Sequence, residues 1–389
     1  MARTGRATAT ATTVARAARA AQTGRAIATL ARWLGPWSPA SVRPRGVARR
    51  TVAVDGPRPF DAWWYTPRDR APLGAYLVAP GLHYAGPADP RFDRLCAVLA
   101  AAGFAVLAPF LPDYLALRVR PTAIDDLARA FDLLASLPER PARVRPGVFS
   151  ISFGSLPALR LAASERHADA VGGLIVFGGF ADFARTIEFC LTGRVGGRAI
   201  ARRDPLNQPV VVLNLLDWVA DPPRDRAALV AAWRAYVEAT WGRPEMKRDG
   251  AYQRVARRFE PDAPPQTRRW YRIGVGLDPG ADELCRAALA RLDDRAAFLD
   301  PRPHLAGIRC PVHIVHGRDD DVIPYTEALA LADAMPRHVD CRVHLTGLYE
   351  HTQATESRWS PSRAPAVARE LATMARILRA IVACGTRAT

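Results

Sequence analysis

The chain has 389 residues, of which 49% are apolar and 24% are charged, and its formal net charge is +16. This composition excludes a disordered, collagen-like or coiled-coil protein, and the length fits two or three domains or one α/β domain with insertions. All but one of the 54 basic residues are arginines, and ten of these lie in residues 1–50, which hold no Asp or Glu. The rest of the chain carries a charge of only +6 and no basic stripe interleaved with aromatics, so we expect no nucleic-acid partner.

Six cysteines are scattered along the chain, without a C-x-x-C pair and without histidines at zinc-binding spacing. We therefore expect buried free thiols, no metal, no cofactor, and a reducing compartment such as the cytoplasm. The chain has no run of about 18 uncharged apolar residues, so we expect no membrane-spanning helix. The cysteines are Cys96, Cys190, Cys285, Cys310, Cys341 and Cys384.

A basic N-terminal tail with one short amphipathic helix is predicted over residues 1–49. Residues 1–24 are rich in Ala, Thr and Arg without a periodic pattern, which predicts disorder. Residues 25–37 place Leu30 and Leu34 on one face of a helix. We expect this helix to dock on the domain, with contact to a membrane surface or a targeting role as alternatives, because an acid-free, Arg-rich N-terminus is also typical of transit peptides.

Short apolar strands alternate with helices over residues 50–180, and the same pattern returns over residues 309–389. This alternation predicts an α/β fold in which helices cover both faces of a mostly parallel sheet. The predicted strands are Thr51–Asp55, Asp61–Thr66, Ala75–Ala79, Ala105–Phe110, Gly147–Ser150, Val171–Phe177, Val312–His316 and Arg342–Leu345. The predicted helices are Phe92–Ala102, Thr122–Leu137, Ser155–Ala163, Tyr325–Met335 and Pro365–Ala383.

Helical patterns dominate residues 181–308, which interrupt the alternation. Both ends of this segment must return to the sheet, and ligands bind at the carboxyl edge of such sheets, so we predict a helical cap over that edge. The apolar run Val210–Leu216 and Trp218 are the candidates for its inner face, with packing in the segment's own core as the alternative for each residue. The predicted helices are Ala181–Leu191, Val210–Trp218, Arg226–Thr240 and Asp282–Phe298.

The strongest local motif is Ser-Ile-Ser-Phe-Gly at residues 150–154, which follows a predicted strand and opens a predicted helix. A G-x-S-x-G turn at such a junction is a nucleophile elbow, in which a strained backbone lifts the central serine hydroxyl clear of the sheet. Ser152 is the central residue. Ser150 replaces the first glycine of the motif, but it is still a small side chain, so the motif predicts Ser152 as a nucleophile.

A serine nucleophile needs a base, and the base needs an acid that orients it. Three consecutive aspartates, Asp319, Asp320 and Asp321, follow the predicted strand Val312–His316. Only one carboxylate of such a turn can point back toward the site, and the spacing from Gly317 favours Asp320. The other two have ordinary roles as turn formers or helix caps.

The expected base is His351, because it follows the last predicted strand and completes the order Ser, Asp, His. An acyl-transfer site also needs donors for the oxyanion. The loop that starts at Pro80 supplies the backbone N–H of Leu82, and the residue after the nucleophile supplies that of Phe153. His83, on the same loop, is a candidate for lining the pocket.

These motifs together resemble the α/β-hydrolase superfamily, over roughly residues 50–180 and 309–389. The resemblance implies a Ser-His-Asp hydrolase with a helical lid over its pocket. The superfamily does not fix the substrate, and the function we expect first is cleavage of a carboxylic ester with a small or medium apolar acyl group. A serine peptidase or acyltransferase of the same fold, or a catalytically silent binding protein, are the alternatives. The predicted partner is a small-molecule acyl substrate, and the sequence leaves the oligomeric state open.

Overall fold

The computed structural model describes residues 2–35, 37–39, 41–347 and 364–389. Ten strands lie in these residues: β1 (Val47–Val54), β2 (Phe60–Pro67), β3 (Gly74–Ala79), β4 (Phe104–Pro109), β5 (Gly147–Ile151), β6 (Gly173–Phe177), β7 (Arg194–Val195), β8 (Arg198–Ala199), β9 (Val312–Gly317) and β10 (Cys341–Thr346). Strands β7 and β8 form a separate hairpin, and the other eight form one sheet in the order β1-β2-β4-β3-β5-β6-β9-β10. Strand β2 is antiparallel to both of its neighbours, and every other adjacent pair in this sheet is parallel.

The burial of each strand follows from its place in the sheet. All residues of β3 and β4 are buried, because these strands have neighbours on both sides and helices on both faces. Their sequences are accordingly continuous apolar runs. The edge strand β1 instead exposes Arg49 and Arg50, and charged side chains on an edge strand disfavour pairing with another chain.

Thirteen α-helices lie in the described residues, and six of them pack on the two faces of the sheet. They are α1 (Ala2–Leu34), α2 (Pro90–Ala101), α3 (Pro112–Leu115), α4 (Thr122–Ser136), α5 (Ser155–Ala163), α6 (Phe183–Thr192), α7 (Gln208–Leu215), α8 (Arg226–Thr240), α9 (Ala251–Phe259), α10 (Arg268–Gly274), α11 (Ala281–Leu289), α12 (Tyr325–Ala334) and α13 (Ala364–Gly385). Helices α4, α5 and α12 pack on the face that includes Leu77 and Val148. Helices α1, α2 and α13 pack on the opposite face, with Tyr76 and Phe149, because successive side chains of a strand point to opposite faces.

Residues 181–308, which we call the helical segment, lie between β6 and β9 and contain helices α6 to α11 and the β7–β8 hairpin. The segment has its own apolar core, in which Trp233 and Tyr271 are fully buried. Phe153 and Ile323 of the sheet domain belong to the same core. The helical segment therefore packs directly on the carboxyl edge of the sheet.

Local signals explain where the helical segment agrees with the sequence prediction and where it differs. Helix α8 has the predicted bounds, whereas α9 and α10 are not predicted. Helix α9 has an apolar face, in which Ala256 is buried and Tyr252, Val255 and Phe259 pack against the core of the segment, so its periodicity is present in the sequence and the prediction overlooks it. The predicted helix Asp282–Phe298 is broken after Leu289, because the Asp293 carboxylate accepts a hydrogen bond from the Arg295 N–H at 3.1 Å and starts a separate 3-10 helix.

The N-terminal helix α1 corrects the prediction of disorder over residues 1–24, because it begins at Ala2 and ends at Leu34. Ala and Arg are strong helix formers, and this propensity acts without any apolar periodicity. Ala26 and Leu30 are buried in the core shared with α2 and α13, so the end of the helix docks on the domain as expected. Among the described residues, no helix combines the length and apolar character needed to cross a membrane.

Candidate active site

Ser152 lies in the turn that joins β5 to α5, and its backbone is left-handed with φ at +52°. This conformation costs a residue other than glycine about 1–3 kcal/mol, so the surrounding structure must hold it in place. A serine strained in this way between a strand and a helix has the backbone geometry of a nucleophile elbow.

Close backbone packing explains the small residues around Ser152. A side-chain carbon at Gly154 would lie 2.4 Å from the Pro80 carbonyl oxygen, so only glycine fits there. A side-chain carbon at Gly81 would lie 3.3 Å from Ser152 Cβ, which shows that the loop after β3 rests against the turn. Ser150 is accommodated in place of the motif's first glycine, because its buried hydroxyl donates to the Ile175 carbonyl at 3.1 Å.

A further contact that holds the turn comes from Tyr114, which the sequence analysis does not identify. Its buried hydroxyl donates to the Phe153 carbonyl at 2.8 Å. This bond fixes the peptide after Phe153. Leu82 and Phe153 line the same cavity as Ser152, and the use of their N–H groups as oxyanion donors stays a prediction.

The three aspartates after β9 have different environments. Asp319 is exposed, and Asp320 is only 2% exposed. Oδ1 of Asp320 accepts hydrogen bonds from the N–H groups of Val322 and Ile323, each at 2.9 Å. Nε2 of His316 lies 3.4 Å from Oδ2 of Asp320 and 2.8 Å from the Ile323 carbonyl oxygen. The turn therefore fixes a buried carboxylate at the predicted position.

Asp321 is engaged in an ion pair with Lys247, the single lysine of the chain. Nζ of Lys247 lies 2.5 Å from Oδ2 of Asp321 and 2.9 Å from Oδ2 of Asp204. Burial raises the pKa of the Asp321 carboxyl, and the charge of Lys247 opposes that rise. The carboxylates of Asp204 and Asp321 raise the pKa of Lys247, although the burial of the lysine acts in the opposite direction. This contact joins the helical segment to the aspartate turn, and sequence spacing gives no sign of it.

His351 lies outside the described residues, so its role as base stays a prediction. The described strand that leads toward it, β10, is parallel to β9, and Thr346 pairs with Gly317. Parallel strands end at the same edge of a sheet, so the chain leaves β10 beside the turn that holds Asp320. Beyond the strand, Glu370 of α13 accepts hydrogen bonds from the Thr346 hydroxyl at 2.8 Å and the Gly347 N–H at 3.1 Å.

A cavity of about 1000 Å³ opens beside Ser152. Val210 and Val211 of the helical segment contribute to its wall, together with Asp321 at the aspartate turn. Of the predicted inner-face residues, Val210 and Val211 line the cavity, whereas Leu216 and Trp218 are buried in the core of the helical segment. Among the described residues, no group of three His, Cys, Asp or Glu side chains is placed to hold a metal ion.

His83 lines this cavity and is held as a neutral imidazole. Its ring stacks on Tyr84 with the ring centres 4.5 Å apart, and its Nδ1 accepts a hydrogen bond from the Ala85 N–H at 3.1 Å. Burial lowers the pKa of His83 to about 4, although Asp89 opposes the shift. Its buried Nε2 lies 3.4 Å from Oδ2 of Asp89, so at neutral pH the ring contributes shape to the cavity and no charge.

We expect acid to destabilise the protein through His83. The imidazole titrates near pH 6.5 in the unfolded chain and at about 4 in the folded one. Between these two pH values the unfolded state binds a proton that the folded state does not. The free energy of unfolding therefore falls, by up to about 3 kcal/mol, as the pH drops from the unfolded pKa of His83 toward its folded pKa. We expect the free energy of unfolding, measured with urea, to fall between about pH 7 and about pH 4.5 in both proteins. The fall should be about 2 kcal/mol smaller in His83→Gln than in the wild type. Equal losses in the two proteins would contradict the assignment.

No protein-family model and no curated protein matches the chain. Among solved structures, the esterase domain of a Rhodothermus marinus protein matches with 14% identity and a TM-score of 0.43, over 88% of this chain and 99% of that one. A Pyrococcus furiosus esterase matches with 12% identity and a TM-score of 0.45, over 86% and 90%. The acylaminoacyl peptidase of Pyrococcus horikoshii matches with 11% identity and a TM-score of 0.43, over 79% of this chain. That match spans only 38% of the length of the peptidase.

The chain's own geometry decides the fold. The sheet is mostly parallel, and helices cover both of its faces. A strained serine stands between β5 and α5, and a buried aspartate follows the later strand β9. A serine turn at the carboxyl edge of such a sheet, followed along the chain by the aspartate turn, is the arrangement of the α/β-hydrolases. The resemblance found in the sequence is therefore confirmed at the level of architecture, and the chain has the α/β-hydrolase fold.

Proposed function

We propose that the protein is a serine hydrolase that cleaves a carboxylic ester through an acyl-enzyme on Ser152. The observation that carries this proposal is the left-handed backbone of Ser152, at a strand–helix turn on the wall of a large cavity. Such strain has a cost, and it serves a nucleophile that must stand clear of the sheet. The apolar side chains of the cavity wall, such as Val210 and Val211, support an apolar acyl group.

The proposed reaction uses five groups. The Oγ of Ser152 attacks the acyl carbonyl carbon while His351 takes the hydroxyl proton, and Asp320 holds the imidazole and stabilises its charged form. The N–H groups of Leu82 and Phe153 bind the oxyanion. The alcohol leaves with the proton from His351. A water molecule, deprotonated by His351, then attacks the acyl-enzyme and releases the acid, and Ser152 regains its proton.

Two features support Asp320 as the acid of this reaction. Its Oδ1 is held by two backbone N–H groups, so the carboxylate has a fixed position in the turn. Those bonds favour the ionised form, which is the form that stabilises an imidazolium. The strand leading toward His351 ends beside this turn, which is consistent with a short path from the acid to the base.

We also propose that the helical segment acts as a cap that helps to select the substrate. The support is positional: Val210, Val211 and Asn214 of α7 line the cavity together with Ser152. Glu327 fixes the start of the segment to α12, since its carboxylate accepts hydrogen bonds from the N–H groups of Ala181 and Asp182 at 3.1 and 2.8 Å.

A fluorophosphonate probe tests the proposed function. We expect the folded protein to incorporate about one probe per chain, located on Ser152 by peptide mass spectrometry, and to hydrolyse p-nitrophenyl esters. Faster turnover of an ester than of the matching anilide favours an esterase over a peptidase. Lack of labelling and of turnover in folded protein would contradict the proposal and favour a catalytically silent binding protein.

For the place of action we propose the cytoplasm. All six cysteines are free thiols, and five of them are buried. Free thiols in this number are typical of a reducing compartment. Fractionation of cells that produce the full chain would test this assignment.

A further inference from the structure

The cavity beside Ser152 extends along the carboxyl edge of the sheet to the face covered by α1, α2 and α13. We call this part the tail chamber. The apolar residues that define it belong to the apolar core of that face, which is the face opposite to α4, α5 and α12, and Ser38, Ser41 and Arg94 also line the cavity. The tail chamber is defined by Leu34 of α1, Leu95 of α2, Ile151 of β5, Phe177 of β6, and Met374 and Ile377 of α13.

The tail chamber begins at the nucleophile, because Ile151 directly precedes Ser152 in the chain. Gly81 stands at the junction, where a side-chain carbon would lie 3.3 Å from Ser152 Cβ and 3.8 Å from Ile151 Cγ2. Gly81, Ile151 and Ser152 all line the cavity, so the tail chamber is continuous with the space beside the nucleophile. A substrate with its carbonyl carbon at Ser152 Oγ therefore has a direct route into the chamber.

The N-terminal segment closes the chamber and is held in place by Arg94 of α2. The guanidinium donates to the Trp33 carbonyl at 2.7 Å, to the Ser38 hydroxyl at 2.8 Å and to the Val42 carbonyl at 2.8 Å. Burial of Leu30 fixes the preceding helical turn. The wall at Leu34 is thus built into the domain, which gives the N-terminal segment a role in shaping the cavity.

Several charged side chains of the cavity are engaged with protein partners, including Arg94 beside the tail chamber. Arg91 is paired with Asp89 at 2.9 Å, and Lys247 is paired with Asp204 and Asp321. The six residues that define the chamber carry no charge and no hydroxyl. The wall of the tail chamber therefore offers apolar side chains, with the Arg94 guanidinium engaged by the N-terminal segment, and this suits the hydrocarbon chain of an ester.

We propose that the tail chamber binds the unbranched hydrocarbon chain of a long-chain acyl ester, an inference that rests on the proposed function of Ser152. The cavity volume of about 1000 Å³ is at the upper end of ligand pockets, which run from about 300 to 1,000 Å³. A short acyl group would leave the apolar walls in contact with water. A long acyl group buries its methylene groups against these walls, and each methylene group strengthens binding about fourfold.

The test is the acyl-chain dependence of p-nitrophenyl ester hydrolysis. We expect kcat/KM of the wild type to rise on the order of 100-fold from the butyryl to the octanoyl ester. Leu95→Trp fills the chamber from α2 and should lower kcat/KM for octanoyl and palmitoyl esters roughly tenfold or more, with the acetyl ester within about twofold. Leu133→Trp is the matched control, because Leu133 is also a half-buried leucine on a helix against the sheet, outside the cavity.

A second variant guards against misfolding of the first. Leu34→Trp fills the same chamber from α1 and should reproduce the selectivity change. If both folded variants keep the wild-type preference, or if Val211→Trp alone removes it, the chain binds elsewhere and the inference is overturned. Labelling of Ser152 by a short ethyl fluorophosphonate separates the two proposals. Without labelling the proposed function fails, whereas labelling with a flat chain-length profile means that only the tail chamber is wrong.

Discussion

Ser152→Ala should lower kcat for ester hydrolysis on the order of 10³-fold or more while the protein remains folded. The substitution removes the attacking oxygen and keeps the Cβ, so the contact with the loop at Gly81 is preserved. Alanine and serine meet the same strain at positive φ, and the loss in stability should stay within about 1 kcal/mol. Initial rates with an octanoyl ester and the thermal unfolding midpoint are the two measurements.

Ser155→Ala is the matched control for this experiment. Ser155 is three residues further along, fully buried, and its hydroxyl has no hydrogen-bond partner among the described residues. Its removal should leave kcat within about twofold and the stability unchanged or slightly higher. Full activity in Ser152→Ala, or a large loss in Ser155→Ala, would move the nucleophile away from the elbow.

The core of the sheet was predictable because its strands are buried on both faces. Ala75–Ala79 and Ala105–Phe110 are continuous apolar runs bounded by Pro or Gly, and they match β3 and β4 closely. Helix α8 was predictable because its apolar face is regular over four turns. The local pattern and the tertiary environment agree in these elements.

The N-terminal helix shows where local patterns fail. Residues 1–24 have almost no apolar periodicity, so composition alone indicates disorder, whereas helix α1 depends on backbone propensity and on docking at its far end. Docking depends on the surfaces that α2 and α13 offer, so it cannot be predicted from the sequence of residues 1–24 alone. Helix α9 is a different case, because Tyr252, Val255 and Phe259 give it an apolar face that the sequence prediction overlooks.

The candidate site divides in the same way. The elbow at Ser152 is a local motif that the sequence displays, although Pro80 and Tyr114 from elsewhere in the chain help to hold its conformation. The pairing of Lys247 with Asp321 joins residues 74 positions apart, and the neutral state of His83 depends on burial by the folded chain. Contacts of this kind have no signature in spacing, so the sequence indicates the nucleophile far better than the surroundings that tune it.

Asp320→Asn should reduce kcat on the order of 10³-fold, far more than the same change at either neighbouring aspartate. Asparagine keeps an oxygen that accepts the hydrogen bonds from the Val322 and Ile323 N–H groups, so the turn should survive. The amide lacks the charge that stabilises an imidazolium and can hold the base in the wrong tautomer. The loss should therefore appear in kcat, with an unfolding midpoint close to that of the wild type.

The neighbouring aspartates supply the controls, because the structure gives each a different environment. Asp319 is exposed, so Asp319→Asn should leave kcat within about twofold. Asp321→Asn weakens the ion pair with Lys247 and leaves Asp204 as the partner of the lysine. It should cost stability on the order of 1 kcal/mol and less than roughly tenfold in kcat. If Asp321→Asn proves to be the severe variant and Asp320→Asn is mild, the acid is one position further along, and the assignment of Ser152 is unaffected.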